Sequence, residues 1–315
     1  SAALRHRRMR AAEIGDAGGM EGMGEHAGAD SGSRAAAYYD AAWLDGAELP
    51  GTGIVGLMLG DQLHPPMVDD DAVWADGARW VEGARECTRR LARLAGIGAG
   101  DTVLDVGCGV GGAVRQLAGE LGCRAAGLNV SAVQLRTAAS LGSPRPGRIG
   151  YLRGDAQRIP ARAGAFTCAW TFNMFYHIPD KPRALREMRR VLAPGGRLAF
   201  DDWVLTEAAD AAHRAELRHH WSSPEWMTDA GLLAALDDAG FALRGEPVDW
   251  THVGAGVMRR RFASTFDRDF APRIRALDAE WGGRMAADFR AAVEHTIGLY
   301  ASGGLRYLQL VADRR

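Results

Sequence analysis

From residue 102 onward, short apolar runs alternate with stretches in which apolar residues recur at helical spacing. The runs Thr102–Val106, Arg124–Leu128, Ile149–Arg153, Ala165–Phe172, Arg197–Val204, Phe241–Trp250 and Leu305–Ala312 predict seven strands. Between them, Gly112–Leu121, Ala132–Ser140, Lys181–Leu192 and Asp229–Ala239 predict helices; in the third, Leu185, Met188, Val191 and Leu192 face inward. Regular strand–helix alternation is the signature of an α/β fold with a mostly parallel sheet covered on both faces, and such sheets bind ligands beyond the carboxyl ends of their strands.

The remainder departs from this rhythm. Residues 1–33 are rich in Gly, Ala and charge without periodicity and read as a mobile tail. Residues 34–98 read as a helical cap segment. One helix starts near Ser33 and carries Tyr38, Tyr39 and Trp43; a Gly-rich connection spans Gly51–Gly60; a long helix capped at Asp69–Asp71 runs to about Ala95. The core is expected over 99–251, interrupted by an insertion at 206–228. Segment 252–304 is too long for a plain connection and reads as a helical substrate lid before a final core strand at 305–315.

The chain has 315 residues, 47% hydrophobic, enough for one large domain or a core with a lid. Lys+Arg (38) and Asp+Glu (39) nearly cancel, which argues against an extended nucleic-acid surface. Lys181 is the only lysine, and with abundant Ala and Gly this usage points to a high-GC bacterial genome. Cys87, Cys108, Cys123 and Cys168 form no C-x-x-C pair and suggest neither a disulfide framework nor a zinc site, so no metal is expected. No apolar run approaches the roughly 18 residues a membrane helix needs, and no apolar stretch follows the basic N-terminus as a signal peptide would require. The expectation is a cytoplasmic protein without membrane or nucleic-acid partners; a homo-oligomer is left open.

The first strand runs into Asp105-Val106-Gly107-Cys108-Gly109-Val110-Gly111-Gly112. Glycines there allow a tight turn and close approach of a ligand to the backbone and the following helix N-terminus. Gly107, Gly109 and Gly112 also fit a dinucleotide fingerprint, which keeps an NAD(P)-dependent oxidoreductase as a competitor. Asp105 tips the balance, because a carboxylate there repels a pyrophosphate and suits a ligand ammonium group.

This run resembles the first motif of class I, Rossmann-like S-adenosylmethionine-dependent methyltransferases. Four further stretches follow in register: Gly127-Leu128-Asn129-Val130-Ser131, Gly154-Asp155-Ala156, His177-Ile178-Pro179-Asp180 and Arg190-Val191-Leu192-Ala193-Pro194-Gly195-Gly196. The resemblance implies S-adenosyl-L-methionine as cofactor. Asp105 and the Gly107–Cys108–Gly109 backbone would hold its methionine end. Asn129, with Val130 and Gln134, would meet the ribose, and Asp155 and Ala156 the adenine. Asn173, at the end of the fourth strand, joins this set. Asn129 departs from the Asp or Glu common in the class; with its neighbours it is similar to the sterol, tocopherol and cyclopropane-forming branch. There a tyrosine near the N-terminus approaches the cofactor carboxylate, which points to Tyr39 and its neighbour Tyr38.

The implied function is methylation of a small molecule, at carbon or nitrogen, in bacterial specialised metabolism. O-methylation and a cyclase on the same fold are the alternatives. The catalytic candidates are His177, Asp202 and Tyr38. Pro194-Gly195-Gly196 is a structural turn, and Gly111 and Gly112 serve packing more than binding. Trp170, Phe172, Phe175, Tyr176, Trp203, Trp221 and Trp226 gather near predicted strand ends, where aromatic faces stabilise cations.

Overall fold

The computed structural model describes residues 36, 40, 52–145, 147–221, 223, 225–279 and 284–315. Of the predicted helix near Ser33, Ala36 and Asp40 are described and helical; Tyr38, Tyr39 and Trp43 lie outside the described residues.

Among the described residues one sheet has eight strands: β1 Thr102–Val106, β2 Arg124–Asn129, β3 Ile149–Arg153, β4 Phe166–Phe172, β5 Leu192–Leu205, β6 Phe241–Leu243, β7 Val248–Asp249 and β8 Leu305–Arg314. The order is β3-β2-β1-β4-β5-β8-β6, with β7 also pairing β8. The β1–β5 ladders are parallel, and those of β8 with β5, β6 and β7 are antiparallel. Where the sequence predicts one strand over Phe241–Trp250, two short ones form: Arg244 to Pro247 bulges away, and Pro247 has no N–H for the ladder.

Eleven α-helices are described, three of them in the 34–98 segment. Gly53–Leu59 (α1) replaces the expected connection, since its apolar residues Ile54, Met58 and Leu59 find a buried face. The long helix expected from Asp69–Asp71 to Ala95 is broken: Asp71–Ala75 (α2) ends at Asp76, whose side chain accepts from the Ala78 N–H at 3.0 Å and starts a new turn before Trp80–Ala95 (α3). Next come Gly112–Gln116 (α4), widened at Leu117–Leu121 by a π-helical turn, Ala132–Ser140 (α5), Lys181–Val191 (α6), Ala211–Trp221 (α7) and Asp229–Asp238 (α8). Segment 252–304 holds Arg259–Thr265 (α9), Ala271–Asp278 (α10) and Met285–Ala301 (α11). No helix of the described residues is long and apolar enough to cross a membrane.

Strand alternation sorts the core into two layers. On one face Val103, Cys168, Trp170, Ala199, Trp203 and Tyr307 pack with α3 and the 252–304 helices. On the other Leu104, Ala169, Leu198, Phe200 and Val204 pack with α6 and α8. The first layer joins distant parts of the chain: Trp80 lies against Trp74, Phe262 and Phe270, at ring separations of 5.4, 6.1 and 5.0 Å. Segment 252–304 is therefore part of the main hydrophobic core.

Candidate functional site

The site lies where β1, β2, β4 and β5 end. Gly107 and Cys108 donate their N–H groups to the Leu128 carbonyl at 2.8 and 3.0 Å, tying the Gly-rich turn to β2. Asp105 precedes this turn on the α3 face, 3% exposed, and its carboxyl makes no hydrogen bond among the described residues. Burial alone pushes its carboxyl up to about 7. Such a group fits a cationic ligand atom that would restore its ionised form. Cys108 is buried and packs with Val114, Ala118 and Ala125, and burial pushes its thiol up.

Asn129 is 6% exposed. Its amide donates to the Gly109 carbonyl at 3.0 Å and to Gln134 Oε1 at 2.7 Å, and its Oδ1 accepts from the Ser131 N–H at 3.0 Å. Both N–H bonds of this amide are thus spent inside the chain, pinning the Gly-rich turn to the start of α5; Oδ1 retains one lone pair. The Asp–Asn departure has a structural consequence here, because a carboxylate could not donate to Gly109. Val130 is half-buried beside it. Ser131 caps α5 and donates to Asp40 Oδ1 at 2.6 Å, so Asp40, which follows Tyr38 and Tyr39 in sequence, reaches this edge. Tyr38 and Tyr39 are outside the described residues.

Asp155 follows β3 and accepts from the Gln157 N–H at 2.8 Å and from the Gln157 amide at 3.1 Å on each oxygen; Ala156 is buried beside it. Asn173, at the end of β4, sits at φ 50°, in the left-handed region, its N–H donating to the Asp201 carbonyl at 2.7 Å and its amide to the Tyr307 hydroxyl at 3.3 Å.

Of the catalytic candidates, His177 is half-buried on a turn, its ring 4.0 Å from that of Tyr176. Asp202 points to the α6–α8 face and is fully buried. It accepts from the Met174, Phe175 and Trp203 N–H groups at 3.0, 2.5 and 2.8 Å. Its oxygens hold the turn that carries His177. Asp201 is the carboxylate on the opposite face. It accepts from the Tyr307 hydroxyl and, at 2.5 Å, from the Gln309 amide, whose oxygen accepts from Arg90 at 2.9 Å. Burial pushes the Asp201 carboxyl up to about 7. Beyond it stand the rings of Tyr176, Trp203, Trp221 and Trp226, each within 4.9–5.3 Å of a neighbour.

The sequence reading missed Asp61–His64. Asp61 pairs with Arg115 at 2.8 Å, Leu63 stands at φ 54° with its side chain over Gly109, and His64 stacks on Phe172 at 3.9 Å. Burial pushes His64 down to about 3. The available signal was Gly60-Asp61, a turn-forming pair followed by a polar–apolar–His run in a stretch that ends a helix.

Among the described residues no three His, Cys, Asp or Glu side chains are grouped to hold a metal ion. The fold is that of the Rossmann-like methyltransferases, and residues 104–200 match the family model of a methyltransferase domain. The chain is 29% identical over 211 residues to the 2-methyl-6-phytyl-1,4-hydroquinone methyltransferase of Synechocystis, covering 63% of this chain and 65% of that one. It is 29% identical over 249 residues to the sterol 24-C-methyltransferase of Aspergillus fumigatus, covering 73% and 64%. It thus spans just under two thirds of each of these relatives. Geranyl diphosphate C-methyltransferase from Streptomyces coelicolor, solved with Mg²⁺, geranyl diphosphate and S-adenosyl-L-homocysteine, superposes with a TM-score of 0.66 at 19% identity, covering 91% of this chain and 100% of that one.

Proposed function

We propose that this protein transfers the methyl group of S-adenosyl-L-methionine to a small molecule. The observation that carries the proposal is Asp105, a buried carboxyl without a partner among the described residues, beside a Gly-rich turn tied to β2. The residues fit the cofactor. Asp105 would hold its ammonium group, the Gly107–Gly109 backbone its methionine end, and Asp155 and Ala156 its adenine. Asn129 would offer its remaining Oδ1 lone pair to the ribose while its amide shapes the turn.

The bound sulfonium supplies the electrophilic methyl group. The chain supplies alignment and dryness. Methylation at carbon is the finer reading: an alkene carbon needs no base but leaves a cation, and Tyr176, Trp203, Trp221 and Trp226 offer aromatic faces on the substrate side. The sterol and geranyl diphosphate C-methyltransferases among the similar proteins support it. Bacterial specialised metabolism, a cytoplasmic location and the lid role of 252–304 belong to the same reading.

The test is calorimetry with S-adenosyl-L-homocysteine. Asp105→Ala should weaken binding at least about tenfold, about 1.4 kcal/mol. No binding to the unaltered protein overturns the proposal. Product mass then separates methylation, which adds one methylene unit, from cyclisation, which adds none.

A further inference from the structure

The Met174–Ile178 turn is gripped from both sides by buried charge. On its amide side, Asp202 takes the Met174 and Phe175 N–H groups. On its carbonyl side stands Lys181, 4% exposed. The Lys181 ammonium donates to the Ile178 carbonyl at 2.7 Å, to the Tyr176 carbonyl at 3.4 Å and to the Glu225 carbonyl, in the 206–228 insertion, at 2.6 Å. Three N–H donors meet three carbonyls, and the third joins the insertion to the turn.

Residue type supports a specific role. This chain uses arginine everywhere else. A planar guanidinium cannot converge on three carbonyls around one point, whereas an ammonium can. Helix electrostatics do not explain the position, because a cation at the first residue of α6 opposes the helix dipole. What the ammonium does hold is the stretch that places Trp226 on Tyr176, their rings 4.9 Å apart and 17° from parallel. Ser223 adds a hydrogen bond to the same Tyr176 carbonyl.

We propose that Lys181 is a positioning residue whose ammonium, working with Asp202 across the Met174–Ile178 turn, seats the Trp226 wall of the insertion against Tyr176 and so shapes the substrate side of the site. The proposal rests on the preceding reading only in calling that side the substrate's. Burial pushes Lys181 down to about 8, with Asp202 and Glu225 opposing the shift. The groups that face it are therefore Asp202 from β5 and Glu225 from the insertion; Asp180 beside it caps α6 and His177 lies on the turn. Loss of one proton leaves two donors for three carbonyls and removes the charge that strengthens all three ties, the longest of them, at 3.4 Å, to the Tyr176 carbonyl. Raising the pH then loosens the seat of Trp226 on Tyr176.

The experiment is acrylamide quenching of tryptophan fluorescence between about pH 7 and 9.5, with homocysteine-product binding measured in parallel. In the unaltered protein quenching should rise about twofold across this range, and the rise should vanish in Trp226→Phe. Lys181→Met and Lys181→Arg should both show raised, pH-independent quenching, with S-adenosyl-L-homocysteine affinity within about threefold of the parent. Arginine keeps the charge, so rescue by Lys181→Arg would reduce the role to charge alone and overturn the proposal. Flat quenching in the unaltered protein would also overturn it, and this arm needs no variant that must fold. Failure to bind the homocysteine product would overturn the methyltransferase reading and leave the quenching result to judge Lys181 separately.

Discussion

The carbonyl oxygen of Asp61 occupies the space where a side chain on Gly112 would begin: a Cβ built there would lie 2.1 Å from it. The Asp61–His64 stretch is thus laid directly on the start of α4, with the Asp61–Arg115 pair closing the contact. Backbone atoms cannot yield as a side-chain tip can, so Gly112→Ala must push the stretch away. We expect a loss of about 1–3 kcal/mol in stability, the usual scale for overpacking, read from urea melts. S-adenosyl-L-homocysteine binding should weaken in the same variant. Unchanged melts would mean that the stretch is held elsewhere.

Asp105 predicts a pH dependence of cofactor binding. Its carboxyl, pushed up to about 7 by burial, is protonated below that pH in the free protein. An ammonium-bearing ligand needs the ionised form, so affinity for S-adenosyl-L-homocysteine should rise between pH 6 and about pH 8 and then level. Asp105→Asn should bind more weakly throughout and lose the slope. Calorimetry at three pH values checks both.

His64 predicts an effect on stability with a definite sign. Unfolded, it takes a proton below about pH 6.5. Folded and buried, it stays neutral to about 3. The unfolded chain therefore binds more protons in that window, and the His64 contribution to stability falls as pH falls from 6.5. The slope is at most about 1.4 kcal/mol per pH unit. Asp105 and Asp201, pushed up by burial, act in the opposite direction there. The difference between parent and His64→Gln isolates the histidine. That difference should shrink steadily from pH 6.5 to about pH 4.5 in denaturant melts; a constant difference would contradict it.

Trp80 joins the 34–98 segment to the 252–304 helices and is 1% exposed. Trp80→Ala should cost about 3–5 kcal/mol. For the same reason, replacing 252–304 by a short linker would strip Phe262, Phe266 and Phe270 from the core, and should leave little folded protein. Smaller changes on the substrate side, such as Trp221→Phe, are the way to test the lid. Trp221→Phe removes the bond from its indole N–H to Thr296 on α11, at 3.1 Å, and should lower turnover without changing homocysteine-product affinity.

The sequence by itself determined the alternating core. The strands β1, β3 and β4 and the helices α5 and α6 stand within a residue of where period and capping residues put them, because both signals are local. The ordered Gly, Asp and Asn stretches likewise located the turns at the strand ends where the candidate site lies, since a tight turn at a strand end demands those residue types at fixed spacing. Tertiary structure alone decided the rest. Asp201 and Asp202 look equivalent along the chain, yet strand alternation sends one to each face, and only the partners waiting there, Tyr307 and Gln309 or the Met174–Phe175 amides, give each its task. Gly112 reads as a packing residue, but its partner is a backbone carbonyl some fifty positions earlier, beyond the reach of any local pattern. Lys181 reads as a helix-start residue. Its three carbonyls come together only when the insertion folds back over the turn, because donor geometry is satisfied in space, whatever the separation along the chain.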